Sequence, residues 1–219
     1  YQTLWYKVIL NREARFYVGV TYNRSYWVNQ SSSPTEVIPV FELSGNSGKK
    51  QSSWDVTSTG YIVRKQLHHN QNRRSYVYLR LAQMYLDFAE ALNESNPGDP
   101  RILEFVNLIR DRAGLPQYGA GVDPLPAPTG QVAVRQAIRH ERQVELAFEG
   151  VRYFDLRRWR IAEQTMGADV YGMNVYADGD AFYERTLVQK RRFLPRDYLW
   201  PIPNNEILKD KYLVQNPGW

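Results

Sequence analysis

The stretch RHERQVELAFEGVRYFDLRRW, residues 139–159, decides how the rest of the chain is read. At about 100° per residue, Val134, Ala137, Ile138, Val144 and Phe148 fall in one apolar arc. Glu141 and Glu145 fall inside the same arc, where carboxylates do not normally belong. An unpaired buried charge costs several kcal/mol or is neutralised by protonation, so this spacing calls for cations. The nearest along the chain are Arg152, Arg157, Arg158 and Arg160, beyond a Gly150 that can break the helix. The expectation is two helices bent back on each other at Glu149 and Gly150. A network of Glu141, Arg142, Glu145, Glu149, Arg152, Asp155 and Arg157 would clamp them. A charge-rich helix is more often only a solvated face, and two glutamates one turn apart could also be an acid/base pair. Because the apolar residues share the arc with the glutamates, the structural ion-pair network is preferred to both.

Upstream, residues 76–94 carry helical periodicity in two adjacent stripes: Tyr78, Leu81, Tyr85, Phe88 and Leu92 in one, Leu79, Ala82, Leu86 and Ala89 in the other. Two stripes make a face wide enough for several neighbours. Asn96-Pro97-Gly98-Asp99-Pro100 reads as a turn. A second helix over 101–113 turns Ile102, Phe105, Val106 and Ile109 inward, and Gly114-Leu115-Pro116 stops it. The pair is a helical hairpin, the unit of helical-repeat folds. An irregular link at 119–130 precedes a second pair, 131–149 and 151–163. The two pairs begin about 55 residues apart, not the 34 of a regular tetratricopeptide array, so the link must bulge outward.

Residues 1–63 show no helical periodicity. Tyr17, Val18, Val20, Tyr22 and Tyr26-Trp27-Val28 favour one or two short strands. Polar runs at 30–34 and 44–53 read as loops. Residues 164–192 are again irregular. Asp178-Gly179-Asp180 hints at calcium but lacks the spacing of an EF-hand loop, and an ordinary turn is preferred.

Several blocks together resemble one family. Residues 141–159 are similar to the signature block of the SusD/RagB family of surface nutrient-capturing lipoproteins. YLRLAQMYLDFAEALNE (78–94) with VNLIRDRAGLP (106–116) resembles that family's tetratricopeptide-like hairpin. WPIPNNE (200–206) and QNPGW (215–219) resemble its terminal elements, and NREARFY (11–17) resembles an earlier segment. The resemblance implies a mainly α fold: tetratricopeptide-like helical hairpins in a SusD-like α-superhelix, with long irregular loops and a few short strands. It divides the chain into a loop-rich region with short strands (1–75), two hairpins (76–163) and an irregular C-terminal segment packing on them (164–219). All three form one SusD-like C-terminal domain. Arg160 stands where the family often has glycine, so the last helix is expected to run a turn further.

Composition limits the alternatives. The chain has 219 residues, 43% hydrophobic, with no cysteine, so disulfides and thiolate metal sites are excluded. Net charge is +5. Its arginines are largely interleaved with acids, as in Arg110-Asp111-Arg112, which suits ion pairing better than a phosphate-tracking stripe; no nucleic-acid partner is expected. The three histidines (His68, His69, His140) do not make a zinc site, and Val144 replaces the second histidine of H-E-x-x-H. No nucleophile elbow, Walker loop or dinucleotide fingerprint is present, and no cofactor, catalytic residue or metal ligand is assigned.

Sixteen Tyr and 6 Trp against 8 Phe favour rings with a polar handle, as where an apolar face meets a polar ligand. Trp27, Tyr26, Tyr22 and Trp54 are the candidate ligand-binding rings. Trp159, Trp200 and Trp219 lie in structural motifs and are assigned to packing. The resemblance implies a non-enzymatic protein on the cell-surface face of the outer membrane. It would capture glycans or other nutrients, such as oligosaccharides, for a SusC-like TonB-dependent transporter. Its membrane attachment would be a lipid anchor outside this chain, and a missing N-terminal half of the same protein would be a further partner. The competing expectations are a helical-repeat scaffold binding a protein, and a glycan-degrading enzyme.

Overall fold

The computed structural model describes residues 9–27, 38–52, 54–65, 67 and 77–219. Val28, the loop at 30–34, Ser53, His68, His69 and Tyr76 lie outside the described residues. In chain order the elements are α1 (Ala14–Gly19), β1 (Val20–Tyr22), β2 (Tyr61–Val63), α2 (Leu81–Ser95) and α3 (Arg101–Arg112). Then come α4 (Gln131–Glu145), α5 (Val151–Arg158), α6 (Ala162–Thr165), β3 (Val170–Gly172), β4 (Thr186–Gln189) and α7 (Asn204–Ile207). Among the described residues the chain is mostly helical, with two small antiparallel sheets, β1 with β2 and β3 with β4.

The helical body is built on α2, which packs against both α3 and α4. Ala89 of α2, Ile102 and Val106 of α3, and Val134 and Ile138 of α4 close one buried cluster. Leu86, Ile109 and Leu146 close a second, flanked by Val151 at the start of α5. Thus the stripe holding Ala82, Leu86 and Ala89 faces inward. In the other stripe Tyr85 and Leu92 are half-buried against the clusters, but Leu81 and Phe88 are exposed, and Tyr78 precedes the helix. Helix α2 begins later than its periodicity suggests because Arg80 takes an extended backbone (φ −141°, ψ 155°) and sends its side chain to Glu145 and Glu149 instead of along a helix.

Helix α3 starts at the Asp99-Pro100 turn, where the Asp99 carboxylate accepts the Arg101 backbone N–H at 3.0 Å. It ends with Gly114 at φ 67°: the Gly114 and Leu115 N–H groups return to the carbonyls of Asp111 and Arg110, the motif a glycine there allows. The side chain of Asn107 then grips both backbone groups of Tyr118, at 2.8 and 3.0 Å, and so anchors the link before α4.

Two helix ends differ from the sequence reading. Helix α4 stops at Glu145, four residues early, and Phe148 leaves the apolar arc at φ 67°, about half exposed. The cause is local: the Glu145 carbonyl accepts from Arg80 Nη2 at 2.6 Å and from Lys65 Nζ, which replaces the next turn of helix. Helix α5 ends at Arg158 and does not run on through Arg160. Arg160 adopts φ 57°, and the N–H groups of Arg160 and Ile161 bond back to the carbonyls of Arg157 and Leu156. An arginine therefore makes a turn that usually takes glycine, and its guanidinium lies 4.3 Å from the Tyr198 ring centre, a cation–π contact that offsets the backbone strain.

The first third contains a helix, α1, where only strands were expected; Tyr17 and Val18 are helical, not extended. Strand β1 pairs with β2 across the long excursion 23–60, Thr21 opposite Ile62. Ile9 and Phe41 share a buried cluster with Met173, Val175, Phe182 and Tyr183, with Phe16, Tyr17, Tyr22, Tyr61 and Ile62 around it. This part of the 164–219 segment packs on the first third, whereas Tyr198 docks on the helices by accepting from Arg157 and reaching the Ala162 N–H.

Leu86 is fully buried and Leu81, on the same helix, is 58% exposed. Leu86→Ala is expected to cost about 2–5 kcal/mol and Leu81→Ala less than about 1 kcal/mol, read by urea denaturation; equal losses would mean that the two stripes are assigned wrongly.

Candidate functional site

Glu141 and Glu145 point into the body, 1% and 2% exposed. Arg15 of α1 reaches both through one nitrogen, Nη1, at 2.6 Å from Glu141 and 2.9 Å from Glu145. Its other donors hold Glu13 bidentately at 2.8 and 2.9 Å. The second oxygen of Glu141 accepts from Arg110 at 3.0 Å. The second oxygen of Glu145 accepts from Arg80 and Arg112, both at 2.6 Å. Glu149 is held by Arg80 (2.7 and 2.8 Å) and by Lys65 at 2.7 Å.

Each carboxylate oxygen of the pair thus meets at least one cation. Burial pushes Glu145 upward, but the bonds from Arg80 and Arg15 outweigh it, and the group ionises below the ordinary glutamate range. Glu149 is shifted the same way by Arg80 and Lys65. Burial works against the charge of Arg15 as well, yet its bonds to Glu13, Glu145 and Glu141 hold it more firmly protonated than usual. Acids this committed have no oxygen left to present to a reacting group.

The partners are not the ones closest in sequence. Arg152 and Arg157 bind neither glutamate. Arg157 stacks over Tyr153, Phe193 and Trp200 at 4.9, 5.7 and 5.8 Å and donates to the Tyr198 carbonyl at 2.6 Å. Arg152 lies over the Trp159 ring at 5.7 Å. The second half of the signature block is tied to the first by different acids: Asp155 takes Arg142 bidentately at 3.1 Å and Arg158 at 2.8 Å, and Asp87 also pairs with Arg142. Glu90 accepts from Arg158 at 2.5 and 2.6 Å and from the Trp159 indole at 2.6 Å. Arg15, Arg80, Arg110, Arg112 and Lys65 were missed because they lie far off in sequence. The one available signal was an apolar helix such as 78–92 carrying a lone arginine at position 80.

The candidate ligand rings do not converge. Tyr22 sits half-buried inside the mixed cluster, stacked on Phe16 at 6.0 Å and edge-on to Tyr17 at 6.1 Å, so it is a packing ring. Tyr26 is 57% exposed, Trp27 half-buried and Trp54 90% exposed. Among the described residues no ring contact joins Tyr26, Trp27 and Trp54. Trp200, assigned to packing from its motif, is 72% exposed with Arg157 behind it, and belongs with the accessible rings. Trp219 donates its indole N–H to the Arg196 and Leu199 carbonyls, at 3.2 and 3.1 Å.

A shallow groove of about 390 Å³ runs along α3, lined by Leu103, Asn107, Leu108, Asp111, Gln117 and Tyr118. Among the described residues no three His, Asp or Glu side chains are grouped to hold a metal ion. Asp178 instead accepts from the backbone and hydroxyl of Ser44, at 2.8 and 2.7 Å, and the Gly179 N–H donates to Glu42. Among the described residues no helix is long and apolar enough to cross a membrane.

Replacing Glu145 by Gln removes a carboxylate shared by Arg15, Arg80 and Arg112; because Arg15 keeps Glu13 and Glu141 and Arg80 keeps Glu149, a loss of about 1–3 kcal/mol is expected. Arg112→Ala, on an exposed partner, is expected to cost about 1 kcal/mol or less. Because Glu145 and Glu149 ionise lower in the folded than in the unfolded chain, their contribution is complete above about pH 4.5 and is lost as pH falls through the folded values. Denaturation midpoints between pH 6 and 3 should fall for the parent chain and less steeply for Glu145→Gln; parallel curves would remove this network from the acid response.

Comparison with known proteins agrees with this architecture. The model of the SusD family matches residues 2–219. SusD-like protein P2 of Formosa agariphila is 33% identical over 153 residues, covering 68% of this chain and 27% of that protein. SusD-like protein P25 of the same organism is 38% identical over 94 residues, 43% of this chain and 16% of that one. A crystallised SusD-like protein from Bacteroides fragilis superposes with a TM-score of 0.82 at 29% identity, over 97% of this chain and 40% of its own. This chain therefore spans less than half the length of each of these relatives. With the mainly helical body, the signature block and the whole-chain match together, this chain belongs to the SusD family.

Proposed function

We propose that this chain is part of a non-enzymatic protein that captures glycans or other nutrients at the outer-membrane surface and passes them to a SusC-like TonB-dependent transporter. The observation that carries the reading is the family match over residues 2–219. The state of Glu141 and Glu145 supports the non-enzymatic part: glycoside hydrolysis needs two carboxylates held across a cleft with access to substrate, and here both are enclosed by arginines. Attachment to the membrane would come through a lipid anchor outside residues 1–219.

Sugar rings present C–H faces that pack on Trp and Tyr, and weak contacts add along an oligosaccharide. Trp54 and Tyr26 are proposed as stacking rings on the strength of their exposure, with the half-buried Trp27 beside Tyr26 in the chain. The outward side of α2 displays Leu81, Met84 and Phe88. We assign it to a further segment of the kind that the longer relatives carry, since isolated helical hairpins leave apolar faces that neighbours normally cover.

Isothermal calorimetry against a panel of oligosaccharides, with each mixture followed for new reducing ends, tests the reading. Saturable heat without product is expected, and Trp54→Ala or Trp27→Ala should weaken binding by about 1–2 kcal/mol without lowering the melting temperature. New reducing ends would overturn the non-enzymatic assignment; a silent panel would favour a protein-binding scaffold.

A further inference from the structure

We propose that Arg139 and Arg152, both packed on Trp159, form a seat for an oxyanion: the carboxylate or sulfate ester of an acidic saccharide. The source of the anion rests on the capture function proposed above; the seat itself rests on local geometry.

Helix α4 brings Arg139 to 4.6 Å from the Trp159 ring centre, and α5 brings Arg152 to 5.7 Å from the same ring. A guanidinium lying against an indole keeps its N–H edges available for a planar, two-toothed acceptor. The acids nearby are all committed elsewhere. Glu90 is divided between Arg158 and the indole N–H. Glu94 holds Arg135 with two bonds of 2.6 Å. Asp155 is shared by Arg142 and Arg158, and Asp87 pairs with Arg142. Among the described residues, neither Arg139 nor Arg152 has a carboxylate oxygen within ion-pair distance.

Two further observations show that this arrangement of cations is costly. Arg139 Nε is shielded from solvent and has no hydrogen-bond partner, which forfeits desolvation energy and leaves the terminal Nη groups as the edge an anion would meet. Burial first, then the like charge of Arg135, hold the Arg139 guanidinium below its ordinary range, against the opposing pull of Glu90 and Glu94. Arg152 is lowered by burial and by Arg139, with Asp155 opposing. Arg139 thus adds to the cost of charge on Arg152, and an anion seated on both would relieve it. A seat of this kind would make ionic saccharides better ligands than neutral ones of equal length.

The test uses residues 1–219 with two probes, an α-1,4-linked galacturonate trimer and the neutral galactose trimer of the same linkage, titrated calorimetrically at low and moderate salt. The galacturonate trimer is expected to bind more tightly, with affinity falling severalfold as salt screens the contact. Arg139→Gln and Arg152→Gln should each weaken it by about tenfold or more, the worth of a charge-assisted hydrogen bond, with helical circular dichroism retained. Arg139→Lys, which keeps the charge and loses the fork, should fall between. Binding of the neutral trimer should be unaffected by all three.

Equal affinity for the two trimers, or galacturonate binding unchanged by both glutamine substitutions, would overturn the seat while leaving capture of neutral glycans standing. If no saccharide binds, yet sodium sulfate raises the melting temperature of the parent and not of the two variants, the saccharide is the wrong source of the anion. In that case the capture function falls with it.

Discussion

Arg15 donates one nitrogen to two buried carboxylates of helix α4, and most of the architecture can be traced from that contact. Glu141 and Glu145 replace apolar side chains on the inner face of the helix, so the fold is viable only where cations arrive from outside it. They come from α1, from the residue that opens α2 and from the last turn of α3. Removing the two acids from water is repaid by short, charge-assisted bonds to guanidinium forks. Because the partners belong to three different segments, the network also fixes where those segments lie relative to one another.

The same chemistry explains how the chain turns. The Glu145 carbonyl accepts from Arg80 and Lys65, so the helix ends there, and the residues from Leu146 to Gly150 form a turn with two left-handed positions. Arg142 then grips Asp155, which sets α5 against the base of α2 through Asp87 and Glu90. Side-chain ions here do the work that interdigitating leucines do in simpler helical bundles. They give direction as well as attraction, since each fork accepts only a narrow range of geometries.

Charge is unevenly compensated around this frame. On the side of α4 facing α1 and α3, every acid is matched. On the side facing Trp159, Arg139 and Arg152 lack a matched acid. Core networks gain by complete neutralisation, whereas a surface that must hold an ionic ligand gains by withholding it. The exposed rings of Trp54, Tyr26 and Trp200 are scattered over other parts of the chain, so any extended ligand would span several segments.

Local pattern alone determined the helical hairpin within 76–113, though not the start of its first helix at Leu81, and also the turn at Asn96 to Pro100, the inward direction of Glu141 and Glu145, and, through its motif blocks, the family. Each depends on periodicity or on short-range backbone chemistry, which a sequence carries explicitly. Helix α1 was illegible because six residues rich in aromatic and β-branched side chains have no periodicity to display, and only the mixed cluster makes them helical. The identities of the cations were equally hidden: Arg15 lies more than a hundred residues from Glu141, and nothing along the chain ranks it above Arg152 or Arg157. The end of α5 at Arg158 and the exposure of Trp200 were likewise decided by packing, since a ring or a backbone turn is stabilised by whichever neighbours the tertiary structure brings to it.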